Sequence, residues 1–181
     1  MLPQPATPIR FERLLLTGAN GNLGRELRPR LKAYCETLRL SHRAEMGTAG
    51  AGEEIVIADL ADAGAMLALL KDVDAVVHMG GVSTEQPWAP ILAGNIVGAY
   101  NLYEAARKNG VKRIVFASSN HVTGFYRQDE VIGPNDPVRP DGLYGLSKAF
   151  GENLAQLYWD RYGVETVSVR IGSSFGAPKD R

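Results

Sequence analysis

The segment that most restricts the fold runs from Arg13 to Gly24: an apolar strand-like run, Arg13-Leu14-Leu15-Leu16-Thr17, stops at Gly18, and glycines recur at Gly21 and Gly24. A short apolar run ending on glycine is the pattern of a buried parallel strand. Leu23, Leu27 and Leu31 follow at four-residue spacing, which predicts a helix from Leu23 to Tyr34 with Pro29 inside it. Strand, glycine turn and helix in this order can carry the pyrophosphate of a dinucleotide. Glycine permits the tight turn and the close approach of backbone N–H groups, and the helix N-terminus attracts negative charge. The plain alternative for Gly18, Gly21 and Gly24 is a turn that only packs a helix on a strand.

The rest of the chain repeats the alternation. Strands are predicted at 37–41, 54–58, 75–79, 112–117 and 165–171. Helices are predicted from Asp62, which can cap one, to Lys71, from Pro90 to Asn109, and from Leu143 to Tyr162. Gly110 and Gly163 close the last two. Residues 46–52 and 124–142 read as loops. This is an α/β chain with a doubly wound, Rossmann-type parallel sheet of six strands, helices on both faces. Residues 1–12 read as a flexible N-terminus and 13–181 as an NAD(P)-binding domain. Ligands of such folds sit beyond the C-terminal strand ends. There the chain places Gly18–Gly24, Ser41–Arg43, Asp59, Met79-Gly80-Gly81, Ser83, Ser118–His121 and Gly172–Ser174.

Composition closes off other classes. Lys plus Arg and Asp plus Glu are 20 each, so no basic excess argues for nucleic acid or an anionic membrane. No stretch approaches the roughly 20 apolar residues of a membrane span. Met1–Glu12 is proline-rich with no apolar run, unlike a signal peptide. The single Cys35 cannot form an internal disulfide, which fits a reducing cytoplasm. His42, His78 and His121 are scattered, so no metal site is expected.

Tyr144 and Lys148 stand four apart and share a face of the predicted helix. An ammonium near a phenol favours the phenolate, so Tyr144 can work as a base. Lys148 can also hold the nicotinamide ribose. The plain alternative is a surface tyrosine beside an exposed lysine. Ser119, at the tip of the fifth strand, can orient a substrate oxygen; it can equally cap a turn. Asn95, among Gly94, Gly98 and Ala99, is a buried polar strut or a cofactor-side contact. His78, in a strand, reads as structural. Asp59 can accept a hydrogen bond from an adenine amino group or cap a helix. An acidic residue at the end of the second strand would grip a ribose 2′-hydroxyl; Ser41-His42-Arg43 stands there instead, and a hydroxyl with a guanidinium suits a 2′-phosphate better. NAD and NADP both stay open, with the lean to NADP.

The motifs TGxxGxxG, Asp59-Leu60, Asn95, Ser119 and Tyr144-x-x-x-Lys148 together resemble the extended short-chain dehydrogenase/reductase superfamily. HMGGVSTEQP (78–87), GNIVGAYNLYEAARKNGVKRIVFASSNHVTGFYRQDE (94–130), RPDGLYGLSKAFGENLA (139–155) and VRIGSSF (169–175) are similar to the bacterial uronate dehydrogenases. That resemblance implies oxidation of a hexuronate, glucuronate or galacturonate, at C1 to the aldarolactone with NAD. It implies Tyr144 as proton acceptor, with Ser119 and Lys148 beside it. It implies substrate contacts from Ser83, Ser119, Asn120, His121 and Ser173. Cofactor contacts would come from Asn22, Leu23, Asp59, Leu60, Tyr144, Lys148 and Ser174.

Two departures qualify the likeness. The family usually carries Asp where this chain has His42. Its members also continue well past 181 residues, so most of a C-terminal substrate subdomain is expected to lie outside this sequence. A carboxylate-gripping Arg of the family falls at Arg181 or just after it. The helices from Pro90 and from Leu143 resemble the pair that forms a four-helix dimer interface in the superfamily, which implies a homo-oligomer. As given, the chain is expected to associate, to bind dinucleotide and to oxidise uronates poorly or not at all. Two other readings compete: a sugar-nucleotide epimerase or dehydratase of the same superfamily, and a dinucleotide-binding module without catalysis.

Overall fold

The computed structural model describes residues 10–172. Ser173, Ser174 and Arg181 lie outside the described residues. Six strands form one parallel sheet in the order β3-β2-β1-β4-β5-β6: β1 Phe11–Thr17, β2 Cys35–His42, β3 Glu53–Ile57, β4 Ala75–His78, β5 Arg113–Ser119 and β6 Glu165–Ile171. The helices between them are α1 Asn22–Leu31, α2 Ala63–Leu69, α3 Trp88–Ile91, α4 Gly98–Asn109 and α5 Leu143–Tyr162. The strand order steps outward from β1 in one direction and then from β4 in the other, which is the doubly wound arrangement.

Strand β1 begins at Phe11, so residues 11 and 12 belong to the sheet rather than to an N-terminal tail. The triplet Leu14-Leu15-Leu16 is buried throughout because helices cover both faces. Alternation sends Leu15 into a core with Val76, Ile114, Phe116, Met66, Leu102, Tyr103, Leu154 and Tyr158. Leu14 and Leu16 go to the opposite core, with Leu38, Leu40 and Val77, against Leu27 and Leu31 of α1. The predicted helix end at Tyr34 is instead a 3-10 turn, Lys32–Tyr34, after α1.

The predicted helix from Pro90 starts earlier, at Trp88, and carries a π-helical segment over Leu92–Val97 before α4. Gly110 and Gly163 end α4 and α5 in the left-handed conformation, at φ 73 and 67, as predicted. Register places Thr17 beside Ser41 and His78, and Ser119 beside Ile171, so the polar strand ends share one edge. Among the described residues no helix is long and apolar enough to cross a membrane.

Candidate active site

The turn between β1 and α1 is a backbone structure. Gly18 takes φ 65, and a Cβ there would stand 2.6 Å from the carbonyl carbon and oxygen of Met79. Two strand ends therefore meet with no room for a side chain. A Cβ on Gly24 would overlap the Gly18 carbonyl and the Ala19 backbone, so α1 rests directly on the turn. The Gly21 N–H donates to the Gly18 carbonyl at 2.9 Å, and the Ala19 N–H to the Ser41 carbonyl at 3.0 Å. The residue before α1 is Gly21, no side chain caps the helix, and no acid stands in its first turn. The N–H groups of Asn22, Leu23 and Gly24 have no intrahelical acceptor, as in the first turn of any α-helix. An uncapped, acid-free set of N–H donors behind a glycine turn fits an anionic pyrophosphate.

The neighbouring strand ends are tied to this turn. Thr17 Oγ1 accepts from the Gly80 N–H at 3.2 Å and bonds to His78 Nδ1 at 2.8 Å. A single hydrogen, on the Thr17 hydroxyl or on Nδ1, joins the two side chains. Burial, then the charge of Lys148, pushes His78 down to about 3, and its ring stacks on Phe116 at 5.7 Å. His78 is thus structural, as predicted.

Asp59 is exposed and does not cap α2: its Oδ1 accepts from the Ala61 N–H at 2.9 Å. The cap is Asp62, which accepts from Gly64 and Ala65 at 2.8 and 2.9 Å. Leu60 packs its side chain toward Gly80 and Gly98. At the end of β2, Ser41 is buried, His42 half-buried and Arg43 exposed.

The other half of the site is built on β5 and α5. Glu85, from the loop after β4 that also carries Ser83, accepts from the N–H groups of Leu143 and Tyr144 at 3.0 and 2.9 Å. This carboxylate caps α5 from a distant part of the chain, where the helix dipole favours it. One turn on, Lys148 is 6% exposed and donates to the Ala117 carbonyl at 2.8 Å. Its ammonium stands 5.7 Å from the Tyr144 ring centroid, and burial pulls its pKa down to about 8. The Tyr144 hydroxyl is pushed up by burial, opposed in part by the Ser119 hydroxyl. Burial of the phenol itself thus works against the phenolate in this state, and the Ser119 hydroxyl works for it.

Ser119 caps a turn, one of the two readings given for it. Its Oγ accepts from the His121 N–H at 3.2 Å, capping a 3-10 turn over Asn120–Thr123, and it also donates to Asn120 Oδ1 at 3.3 Å. His121 lies edge-on to Tyr144 at 5.7 Å, and Asp141 binds its Nδ1 at 2.9 Å. Ser119, Asn120, His121, Tyr144 and Lys148 thus come together at the junction of β5 and α5.

Asn95 is the strut of its two readings. Its Oδ1 accepts from the Val82 N–H at 2.7 Å, and its amide donates to the Val82 carbonyl at 3.1 Å and to Ser147 Oγ at 2.9 Å. Both amide hydrogens are used within the chain, so the side chain supports the Gly80–Val82 loop and α5 rather than offering a donor to a cofactor. Two turns along the same face of α5 from Tyr144, Glu152 accepts from Ser118 Oγ at 2.5 Å and takes both Nε and an η nitrogen of Arg170, at 3.0 and 2.8 Å. Glu85, Asp141, Ser147, Glu152 and Arg170 escaped the sequence reading. The only local signal for any of them is the four-residue step Tyr144, Lys148, Glu152 along one helix face.

The profile of the NAD dependent epimerase/dehydratase family matches residues 14–181. The chain belongs to that family. The uronate dehydrogenase of Pseudomonas putida is 59% identical over 171 residues, covering 94% of this chain and 64% of its own length. The crystal structure of a glucuronic acid dehydrogenase from Chromohalobacter salexigens superposes with a TM-score of 0.90 at 55% identity, covering 94% of this chain and 64% of that one. A mutant uronate dehydrogenase from Agrobacterium tumefaciens, complexed with NAD, superposes with a TM-score of 0.85 at 56% identity, covering 86% and 59%. The chain therefore spans less than two thirds of the length of these relatives. Both the fold and the family expected from the motifs are established by these matches.

Proposed function

We propose that this chain carries the dinucleotide-binding and proton-accepting parts of an NAD(P)-dependent dehydrogenase that oxidises a hexuronate at C1 to the aldarolactone. The single observation that carries the reading is the junction of β5 and α5, where Ser119, Tyr144 and Lys148 meet on the same sheet edge as the uncapped glycine turn. The relatives named uronate or glucuronic acid dehydrogenase, at 55 and 59% identity, support the choice of substrate class.

In this reading Gly18, Gly21, Gly24 and the N–H groups of Asn22 and Leu23 bind the pyrophosphate. Asp59, Leu60, Met79, Gly80 and Gly81 line its path, and Lys148 holds the nicotinamide ribose. Bound NAD or NADP supplies a hydride acceptor. Tyr144 takes the proton of the C1 hydroxyl, and Ser119 orients that oxygen. Lys148 keeps a nearby positive charge that favours the phenolate. Loss of the C1 hydride and the hydroxyl proton leaves the carbonyl of a lactone. Ser83, Asn120 and His121, all exposed at this edge, hold the sugar, together with Ser173. Asn95 is retained as a support of the Gly80–Val82 loop.

The flank of α4 and α5 exposes Tyr100, Leu157 and Trp159 at about half of their surface, which supports association through these helices into a homo-oligomer. Size-exclusion chromatography with light scattering reports that state directly. The lone, buried Cys35 supports a reducing compartment such as the cytoplasm.

The test of function is the appearance of NADH or NADPH absorbance with glucuronate or galacturonate, beside glucose and a nucleotide sugar. Uronate-dependent reduction with lactone formation, at any rate above that of a Tyr144→Phe control, supports the reading. Conversion of the nucleotide sugar alone would transfer the chain to the epimerases. Dinucleotide binding with no turnover of any sugar would leave a non-catalytic module.

A further inference from the structure

The strand end that departs from the family pattern holds more than the sequence indicated. His42 and Arg43 follow buried Ser41 at the end of β2, and a third basic side chain, Arg25, reaches the same place from α1. Asn20, inside the glycine turn, organises the group. Its Oδ1 accepts from Arg25 Nε at 3.1 Å, and its amide donates to the Glu45 carbonyl at 3.5 Å. The Ala19 N–H bond to the Ser41 carbonyl joins the turn to β2 directly beside them. Arg25 is thereby held through Nε, which leaves its two terminal nitrogens for another acceptor.

The charges gathered here are all positive, whereas several other arginines are paired. Arg28, Arg39 and Arg170 each sit on a carboxylate, of Glu53, Glu54 and Glu152 respectively. Arg25 and Arg43 make no ion pair among the described residues. The charges that act on His42 are both positive, those of Arg43 and Arg25, and with burial they hold its pKa down. In a doubly wound fold this position faces the adenosine ribose. A carboxylate there accepts from the 2′-hydroxyl and repels a 2′-phosphate; guanidinium groups do the reverse.

We infer that Arg25, His42 and Arg43 form a subsite for a 2′-phosphate, so that this chain takes NADP(H) in preference to NAD(H). The inference rests on the dinucleotide reading above and concerns a feature that the relative complexed with NAD does not assign to this chain. A phosphate dianion gains charge-assisted hydrogen bonds from both guanidinium groups, and its arrival favours protonation of His42. The NAD ribose finds no carboxylate at the end of β2 to accept its hydroxyl.

The experiment is a binding titration of the whole chain with NADPH and NADH, repeated with 2′,5′-ADP and 5′-AMP. The expected result is binding of the 2′-phosphorylated member of each pair about tenfold tighter, the worth of one charge-assisted contact. Arg43→Ala and Arg25→Ala each weaken NADPH about tenfold and leave NADH within about threefold. His42→Asp reverses the order of the two dinucleotides. Added salt weakens NADPH more than NADH. NADH binding tenfold tighter than NADPH overturns the inference and leaves the dinucleotide reading intact, as do arginine variants that weaken both nucleotides equally. If neither dinucleotide binds, both readings fall.

Discussion

The turn between β1 and α1 and the first turns of α5 face the same edge of the sheet, yet different kinds of contact hold them there. The turn is fixed by main chain: Gly18 against Met79, Gly24 against Gly18, and N–H bonds from Ala19 and Gly21. Side chains from elsewhere in the sequence fix α5: Glu85 at its N-terminus, Asn95 on Ser147, and Ser118 and Arg170 on Glu152. The first construction leaves its N–H donors open for a ligand that varies little. The second aims particular side chains, Tyr144 and Lys148, and buries the lysine. His78 belongs to both, bonded to Thr17 on one side and stacked on Phe116 below Lys148 on the other.

Damage to the turn should therefore reach the cofactor and the fold together. Gly24→Ala forces a Cβ into the Gly18 carbonyl, and a stability loss of about 3 kcal/mol is expected for such overpacking against backbone. Denaturant unfolding with a parallel dinucleotide titration measures both, and both are expected to fall. Retained dinucleotide affinity in a destabilised variant would break the claim that the turn's close packing shapes the binding donors.

Damage behind α5 should separate the two. Glu152→Ala strands Ser118 Oγ and the Arg170 guanidinium, both partly or wholly buried. Loss of about 2 kcal/mol is expected from unpartnered polar groups of this kind. Dinucleotide affinity, corrected for the folded fraction, is expected to stay within about threefold, since no main-chain donor of the turn moves. An affinity loss as large as that of Gly24→Ala would show that the halves are one cooperative unit.

The shared residue gives a pH dependence. His78 titrates at about 3 in the folded protein, against 6.5 for the free side chain. Between those values the unfolded chain binds the extra proton, so stability rises with pH across the window and is lost as pH falls through it. The slope approaches about 1.4 kcal/mol per pH unit for one proton. His78→Gln is expected to flatten the stability profile between pH 6 and 4 at a fixed cost. An unchanged slope would place the acid sensitivity elsewhere; Glu53, held down to about 2 by Arg28, contributes with the same sign but only below 4.5.

The contrast also explains what was legible in the sequence. A backbone turn demands glycine at particular positions, so Gly18, Gly21 and Gly24 announce themselves. The order of strands and helices was legible for the same local reason, through apolar runs and helix stops at Gly110 and Gly163. Strand ends were less so: pairing of Phe11 with Cys35 extends β1 and β2 past their apolar runs, because a neighbouring strand, not residue type, completes the ladder. The π-helical segment that turns Asn95 inward has no residue code of its own. Glu85 meets Leu143 and Tyr144 across a sequence separation of 58 and 59 residues, and Glu152 meets Arg170 across a helix end and a turn. Those encounters are products of the fold. Burial of Lys148 and of the Tyr144 hydroxyl are others; the first lowers the lysine's pKa and the second raises the tyrosine's.

Tyr144→Phe is the most direct test of the division between a main chain that binds and side chains that react. The ring still packs against His121, and only the proton acceptor is removed. Uronate-dependent NAD(P) reduction and dinucleotide affinity are measured on the same preparation, beside the unmutated protein. The account predicts dinucleotide affinity within about threefold and turnover lowered by about 100-fold or more, the range of a lost general base. Turnover equal to that of the unmutated protein would contradict it.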